Sequence, residues 1–194
     1  MPGKAPHKRR GFLLPIAIAL GGRDSPHGSA VKVSESEKTT IMEPELKSIG
    51  IRNVTCGARV TIVQPANLYE CVLGDDVFIG PFVEIQNGVR IGNRSRVQSH
   101  SFVCELVTIG EDTVIAHGVM FINDSYKSGG PARRNRALYK ETVIGNRVAI
   151  GSNATIMPVR ICDGVVIGAG SVVTRDIERP GIYAGNPARL LRPL

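Results

Sequence analysis

From Leu73 onward an apolar residue recurs every six positions without a miss: Ile79, Ile85, Ile91, Val97, Val103, Ile109, Ile115 and Phe121. The residue four places after each is small or β-branched: Val77, Val83, Val89, Ser95, Ser101, Val107, Thr113 and Val119. Gly often follows the anchor directly, as at Gly74, Gly80, Gly92 and Gly110. A helical period of 3.6 or a strand period of 2 does not generate this pattern. A fixed six-residue beat is the signature of a solenoid in which each hexapeptide is a short strand plus a corner. Three such units close a triangular coil of about 18 residues.

The branched anchor then points into the tube, and the small residue lets the chain turn at the corner. Gly is expected for the backbone angles it tolerates. Stacked coils pair as parallel strands, each covering its neighbour's open edge. The tandem [LIV]-G-x-x-[VSTA]-x units resemble the hexapeptide-repeat acyltransferases. The fold class implied is all-β, a left-handed parallel β-helix with one long excursion loop. Its hand comes from the resemblance, because parallel crossovers are otherwise right-handed.

Around this core the beat is looser. Ile51, Cys56, Ile62 and Leu68 are candidate coil openers, with Pro65-Ala66-Asn67 as a corner. The beat breaks at Asn123 and resumes at Ile144, Ile150 and Ile156. It slips by one residue to Ile161 and continues at Ile167 and Val173. Residues 124–143, polar, basic and Gly-rich, are therefore a loop inserted at one corner, not a domain boundary. The β-helix domain is expected over 42–194. Residues 1–41 pair a basic Lys8-Arg9-Arg10 with a short apolar run, Gly11 to Leu20, the shape of a targeting segment. A natural start at Met42 or a disordered extension is the alternative, and the favoured one, since an enzyme using acetyl-CoA would be stranded by export; the expected location is cytoplasmic. The run is too short to span a membrane as an ordinary helix.

The formal charge of +7 divides into +4 over residues 1–41 (seven Lys/Arg against three Asp/Glu) and +3 over 42–194 (17 against 14). No basic stripe is interleaved with aromatics, which argues against nucleic acid and suits an anionic small molecule. Cys56, Cys71, Cys104 and Cys162 are dispersed, without metal-ligand spacing, and read as reduced thiols, the last three buried in the repeats. No metal is expected: a zinc site of three histidines, as in a γ-class carbonic anhydrase, finds only His100 and His117 in the domain.

Register places the chemistry. With Leu73 opening one face, the next face begins at Ile79, Val97, Ile115, Ile150 and Ile167. His100 and His117 then share a corner on successive coils, followed there by Ser152-Asn153 and Ala169-Gly170. A neutral imidazole at an outward corner suits proton abstraction from an attacking amine or alcohol. Ser152, Ala169 and Gly170 leave room for a pantetheine arm, and Arg175, Arg179 and Arg189 stand where a cofactor's phosphates would lie.

The segments Gly80–Gln86, Val97–Ser101, Gly118–Asp124 and Gly185–Arg189 resemble N-acetyltransferases of nucleotide-linked amino sugars, among them UDP-2-acetamido-3-amino-glucuronate enzymes; the resemblance spans about residues 50–190. It implies a homotrimer, acetyl-CoA as donor, a nucleotide-sugar substrate, and Gln86, Gln98, Glu105, Asn123 and Asp124 lining an amino-sugar pocket between subunits. Some relatives carry Asn in place of His100 and lack His at 117, so the division of labour between the two histidines is open. An O-acetyltransferase of a sugar or small alcohol and a non-catalytic β-helix scaffold are the alternatives.

Overall fold

The computed structural model describes residues 45–133 and 135–194; residues 1–41, with their targeting or extension reading, lie outside the described residues. Two- and three-residue strands stack in three parallel sheets. Sheet A holds Ile51–Arg52, Asn67–Tyr69, Glu84–Ile85, Phe102–Val103, Met120–Phe121, Thr155–Ile156 and Val172–Val173. Sheet B runs from Thr55–Cys56 through Val72–Leu73, Arg90–Ile91, Val107–Ile109 and Thr142–Ile144 to Arg160–Ile161. Sheet C runs from Thr61–Ile62 through Phe78–Ile79, Arg96–Val97, Val114–Ile115 and Ala149–Ile150 to Val165–Ile167. It ends in an antiparallel hairpin, Gly181–Gly185 with Ala188–Arg192. This is the left-handed β-helix expected, and all four loose openers, Ile51, Cys56, Ile62 and Leu68, lie in strands. No helix among the described residues is long and apolar enough to cross a membrane.

Every anchor from Leu73 to Phe121 is buried, as are the small residues four places on. Those small residues also bind the coils together. Ser95 Oγ donates to Gly110 O at 2.7 Å and accepts from Thr113 N at 3.0 Å; Ser101 Oγ donates to Ala116 O at 2.9 Å. A buried hydroxyl left without such partners costs about 1–3 kcal/mol.

The glycines after the anchors serve a different purpose from the one expected. Positive φ falls mostly on other residues, while Gly80 and Gly92 are required by close approach. A Cβ on Gly80 would lie 2.7 Å from Ser99 N, and one on Gly92 2.6 Å from Gly110 C. Coil stacking, not backbone angle, selects Gly at these positions.

Coil length is 17 residues at the start (Ile62 faces Ile79), 18 in the middle (Ile79 faces Val97, which faces Ile115) and 17 again from Ile150 to Ile167. Across the excursion Val107 faces Thr142, 35 positions on, so one coil's length of chain is looped out. The loop ends sooner than expected. Thr142 and Val143, placed in the excursion from the sequence, already pair with Val107 and Thr108 in sheet B.

The B–C edge is a self-satisfied ladder. Arg59, Asp76, Arg94, Asp112 and Arg147 occupy its left-handed positions on successive coils, with φ between 53° and 58°. Ion pairs join Arg59 to Asp76 at 2.6 Å, Arg94 to Asp112 at 2.7 Å and to Glu111 at 2.9 Å. Beside them, Asp75, Asn93, Asn146 and Asp163 each accept a backbone N–H from the coil before. The hydrogen bonds from Arg59 and Arg94 hold the Asp76 and Asp112 carboxyls below the usual range.

Replacing Ile115, fully buried at the centre of the tube, by Ala is expected to cost about 2–5 kcal/mol; urea unfolding measures it. A carboxyl with a depressed folded pKa contributes stability above its unfolded value, near 4, and loses it as pH falls through the folded value. The melting temperature should therefore drop as pH is lowered below about 4, and Arg94→Met should flatten that drop by removing the partner of Asp112.

Candidate functional site

The C–A edge differs from the charged ladder. Its left-handed positions are Phe82, His100, Gly118, Asn153 and Gly170, with φ from 59° to 68°. Each of the last four donates its N–H to the coil before: His100 to Pro81 O, Gly118 to Ser99 O, Asn153 to His117 O and Gly170 to Ser152 O. The preceding residue on each coil forms a second column, Pro81, Ser99, His117, Ser152 and Ala169. The N–H of Ser152 makes no backbone hydrogen bond among the described residues.

Both histidines are exposed at this edge, as their corner register implies. The His100 ring stacks on Phe82, with centroids 4.8 Å apart and 29° between planes. His117 Nδ1 lies 2.9 Å from Ser99 Oγ. Gln98, half-buried, precedes the same corner. Below His117 the edge narrows to Ser152, Ala169 and Gly170 and ends at the hairpin, where Gly185 N donates to Ser171 Oγ at 3.1 Å. Arg175 and Arg189 share a cavity of about 190 Å³ with Asp176, Ile177 and Tyr183, between this hairpin and the last coil.

The other expected pocket residues lie at the opposite side of sheet A, on the A–B edge. Gln86 Oε1 accepts from Glu105 N at 3.3 Å, and Asn123 Nδ2 donates to Glu105 O at 3.3 Å. Arg136, in the excursion loop, pairs with the Glu105 carboxylate at 2.8 Å. Asp124 serves the loop itself: its two oxygens accept from Tyr126 N at 2.9 Å and Ala132 N at 2.7 Å. The loop lies along this edge and encloses a cavity of about 290 Å³ lined by Ser125, Lys127, Lys140, Met157, Pro158 and Thr174.

In one chain, then, the structure groups His100, His117, Gln98 and Ser152 at one edge and Gln86, Glu105, Asn123 and Asp124 at the other. Five residues of extended chain, about 16 Å, separate His100 from Glu105. Sequence reasoning missed Ser99, Phe82, Arg136, Lys127 and Lys140. The first two follow from coil arithmetic, as the residues one turn before His117 and His100. The loop residues carry no repeat signal from which to place them.

Cys71 and Cys104 are buried, and burial pushes their thiols up to about 11 and about 12. Cys162, expected to be buried, is only half-buried, although Cys104 holds the same place after its anchor and is buried. All four cysteines are free.

The family model for bacterial transferase hexapeptide (six repeats) matches residues 70–105, and that for the hexapeptide repeat of succinyl-transferase matches 141–175. The galactoside O-acetyltransferase of Escherichia coli K12 is 34% identical over 128 residues, covering 63% of this chain and 63% of that protein. A probable macrolide acetyltransferase of Lysinibacillus sphaericus is 32% identical over 121 residues, covering 62% and 61%. The chain thus spans about three fifths of the length of these relatives. Among solved structures, AntD, an N-acyltransferase of Bacillus cereus in complex with dTDP and coenzyme A, superposes with a TM-score of 0.64 at 24% identity, covering 74% of this chain and 85% of that one. The inward burial of the six-residue beat from Leu73 to Phe121, the three parallel sheets and the two repeat matches agree on one point: the chain carries hexapeptide repeats similar to those of bacterial transferases.

Proposed function

We propose that this chain transfers an acetyl group from acetyl-CoA to the amine of a nucleotide-linked amino sugar. The observation that carries the reading is the C–A edge, where exposed imidazoles stand directly above a track of small residues. A base at His100 or His117 takes a proton from the acceptor amine as its nitrogen attacks the thioester carbonyl carbon. The carbon–sulfur bond breaks, and the departing thiolate recovers the proton from the imidazolium. Ser152 N–H, beside His117 and without a backbone acceptor, supplies a donor for the developing oxyanion. The pantetheine arm follows Ser152, Ala169 and Gly170, and Arg175 and Arg189 meet the phosphates.

Both curated relatives are named acetyltransferases, which supports acetyl as the group moved. The amine and the nucleotide rest on the amino-sugar resemblance and on the A–B edge. There Gln86, Glu105 and Asn123 offer hydrogen bonds to a sugar, and Lys127 and Lys140 line the adjoining cavity where a diphosphate fits. Base and sugar pocket lie on opposite edges of sheet A, so the site requires a second copy. A head-to-tail contact that closes as a ring of three brings one chain's C–A edge to the next chain's A–B edge. The outer face of sheet A between them presents Phe102, Met120 and Val172 for that contact.

A second reading, O-acetylation of a sugar hydroxyl, is favoured by the 34% identity to a galactoside O-acetyltransferase. It uses the same base and edge.

Thiol release from acetyl-CoA should appear with UDP- or dTDP-linked amino sugars, and fall on the order of 10²–10⁴-fold when both His100 and His117 are replaced by Ala. Turnover confined to matching hydroxyl sugars would move the activity to O-acetylation. Absence of turnover and of CoA binding would leave a scaffold. Replacing Lys127 and Lys140 together by Ala should weaken binding of the nucleoside diphosphate about tenfold by calorimetry, each lost charge-assisted contact contributing to the sum.

A further inference from the structure

We infer that Ser99 makes His117, rather than His100, the base, by holding its imidazole in the tautomer whose Nε2 is free to take a proton. The inference rests on the acyl-transfer reading above and deepens it. The two histidines are 17 positions apart, but the coil joining them is 18 residues long, because Val97 faces Ile115. His117 therefore stacks over Ser99, and Gly118 over His100. In a 17-residue coil, such as the one from Ile150 to Ile167, the two imidazoles would stack on one another.

The register gives the rings different surroundings. His100 rests against the face of Phe82, an apolar support that fixes its plane and engages neither ring nitrogen. His117 Nδ1 is 2.9 Å from the Ser99 hydroxyl. A base acting through Nε2 must be neutral and carry its hydrogen on Nδ1, and that N–H needs an acceptor. Ser99 Oγ is placed to accept it. An imidazole side chain without such a partner favours the opposite tautomer, with hydrogen on Nε2, which takes no proton there. Ser99 touches no reacting atom and is a positioning residue.

The test is a long-range proton–nitrogen correlation spectrum of the whole chain labelled with nitrogen-15 histidine, the His117 signals being identified by their loss in His117→Gln. The expected spectrum shows His117 with hydrogen on Nδ1. Ser99→Ala should move it to Nε2, with the backbone amide spectrum otherwise unchanged, while Ser99→Thr, which keeps a hydroxyl, should retain it. In the thiol-release assay Ser99→Ala should lower kcat about 100-fold, the lower end of the range for general-base catalysis, with the KM for acetyl-CoA unaltered and Ser99→Thr restoring turnover. Hydrogen on Nε2 in the unsubstituted protein, or a tautomer and kcat indifferent to Ser99→Ala, overturns the inference. If no acceptor supports thiol release, the acyl-transfer reading fails, and the tautomer spectrum alone still decides whether Ser99 orients His117.

Discussion

The structure depends on the distance between successive coils. Each coil donates backbone N–H groups to the carbonyls of a neighbouring one, and that ladder brings main chains close enough at the corners to exclude a Cβ. At Gly80 and Gly92 an added carbon would meet the next coil's backbone at 2.7 and 2.6 Å, well inside contact distance. The branched anchors fill the tube because the spacing leaves no other volume for them. Buried Ser95 and Ser101 stitch the corners because hydroxyls there reach the neighbouring coil's main chain. Parallel pairing on this scale is stable because each coil satisfies the next one's edge.

Given that frame, each of the three edges is a column of side chains one coil apart, and the columns differ in chemistry. The B–C column alternates arginine and aspartate and spends its charge internally. The A–B column carries the excursion loop and its contacts with Glu105 and Asn123. The C–A column carries imidazoles, an aromatic support and small residues, with no carboxylate paired to either histidine among the described residues. Coil length then sets which side chains become neighbours: the 18-residue coil gives His117 a hydroxyl for a partner and gives His100 a phenyl ring.

Much of this was legible in the sequence. The anchors from Leu73 to Phe121, the one-residue slip before Ile161 and the shared corner of His100 and His117 all follow from counting in sixes. The position of the loop was legible as a break in the beat. Its closure was not, since Thr142 and Val143 differ from loop residues only by pairing with Val107 and Thr108. The role of Asp124 was also hidden: its carboxylate is engaged by two loop N–H groups, one of them eight residues on.

The sequence by itself determined the tube, its register and the edge on which the histidines stand, because a strict period ties each residue's direction to its number. Tertiary structure alone decided which polar groups meet. Glu105 and Arg136 are 31 positions apart, and their contact depends on how an aperiodic loop packs against an edge. It also tied Asn123 to Glu105 and Asp124 to the loop, on the edge of sheet A opposite the histidines, whereas Gln98 stays on theirs. A periodic pattern specifies direction around the tube, whereas proximity across a face depends on the width of the coil and on what packs beside it.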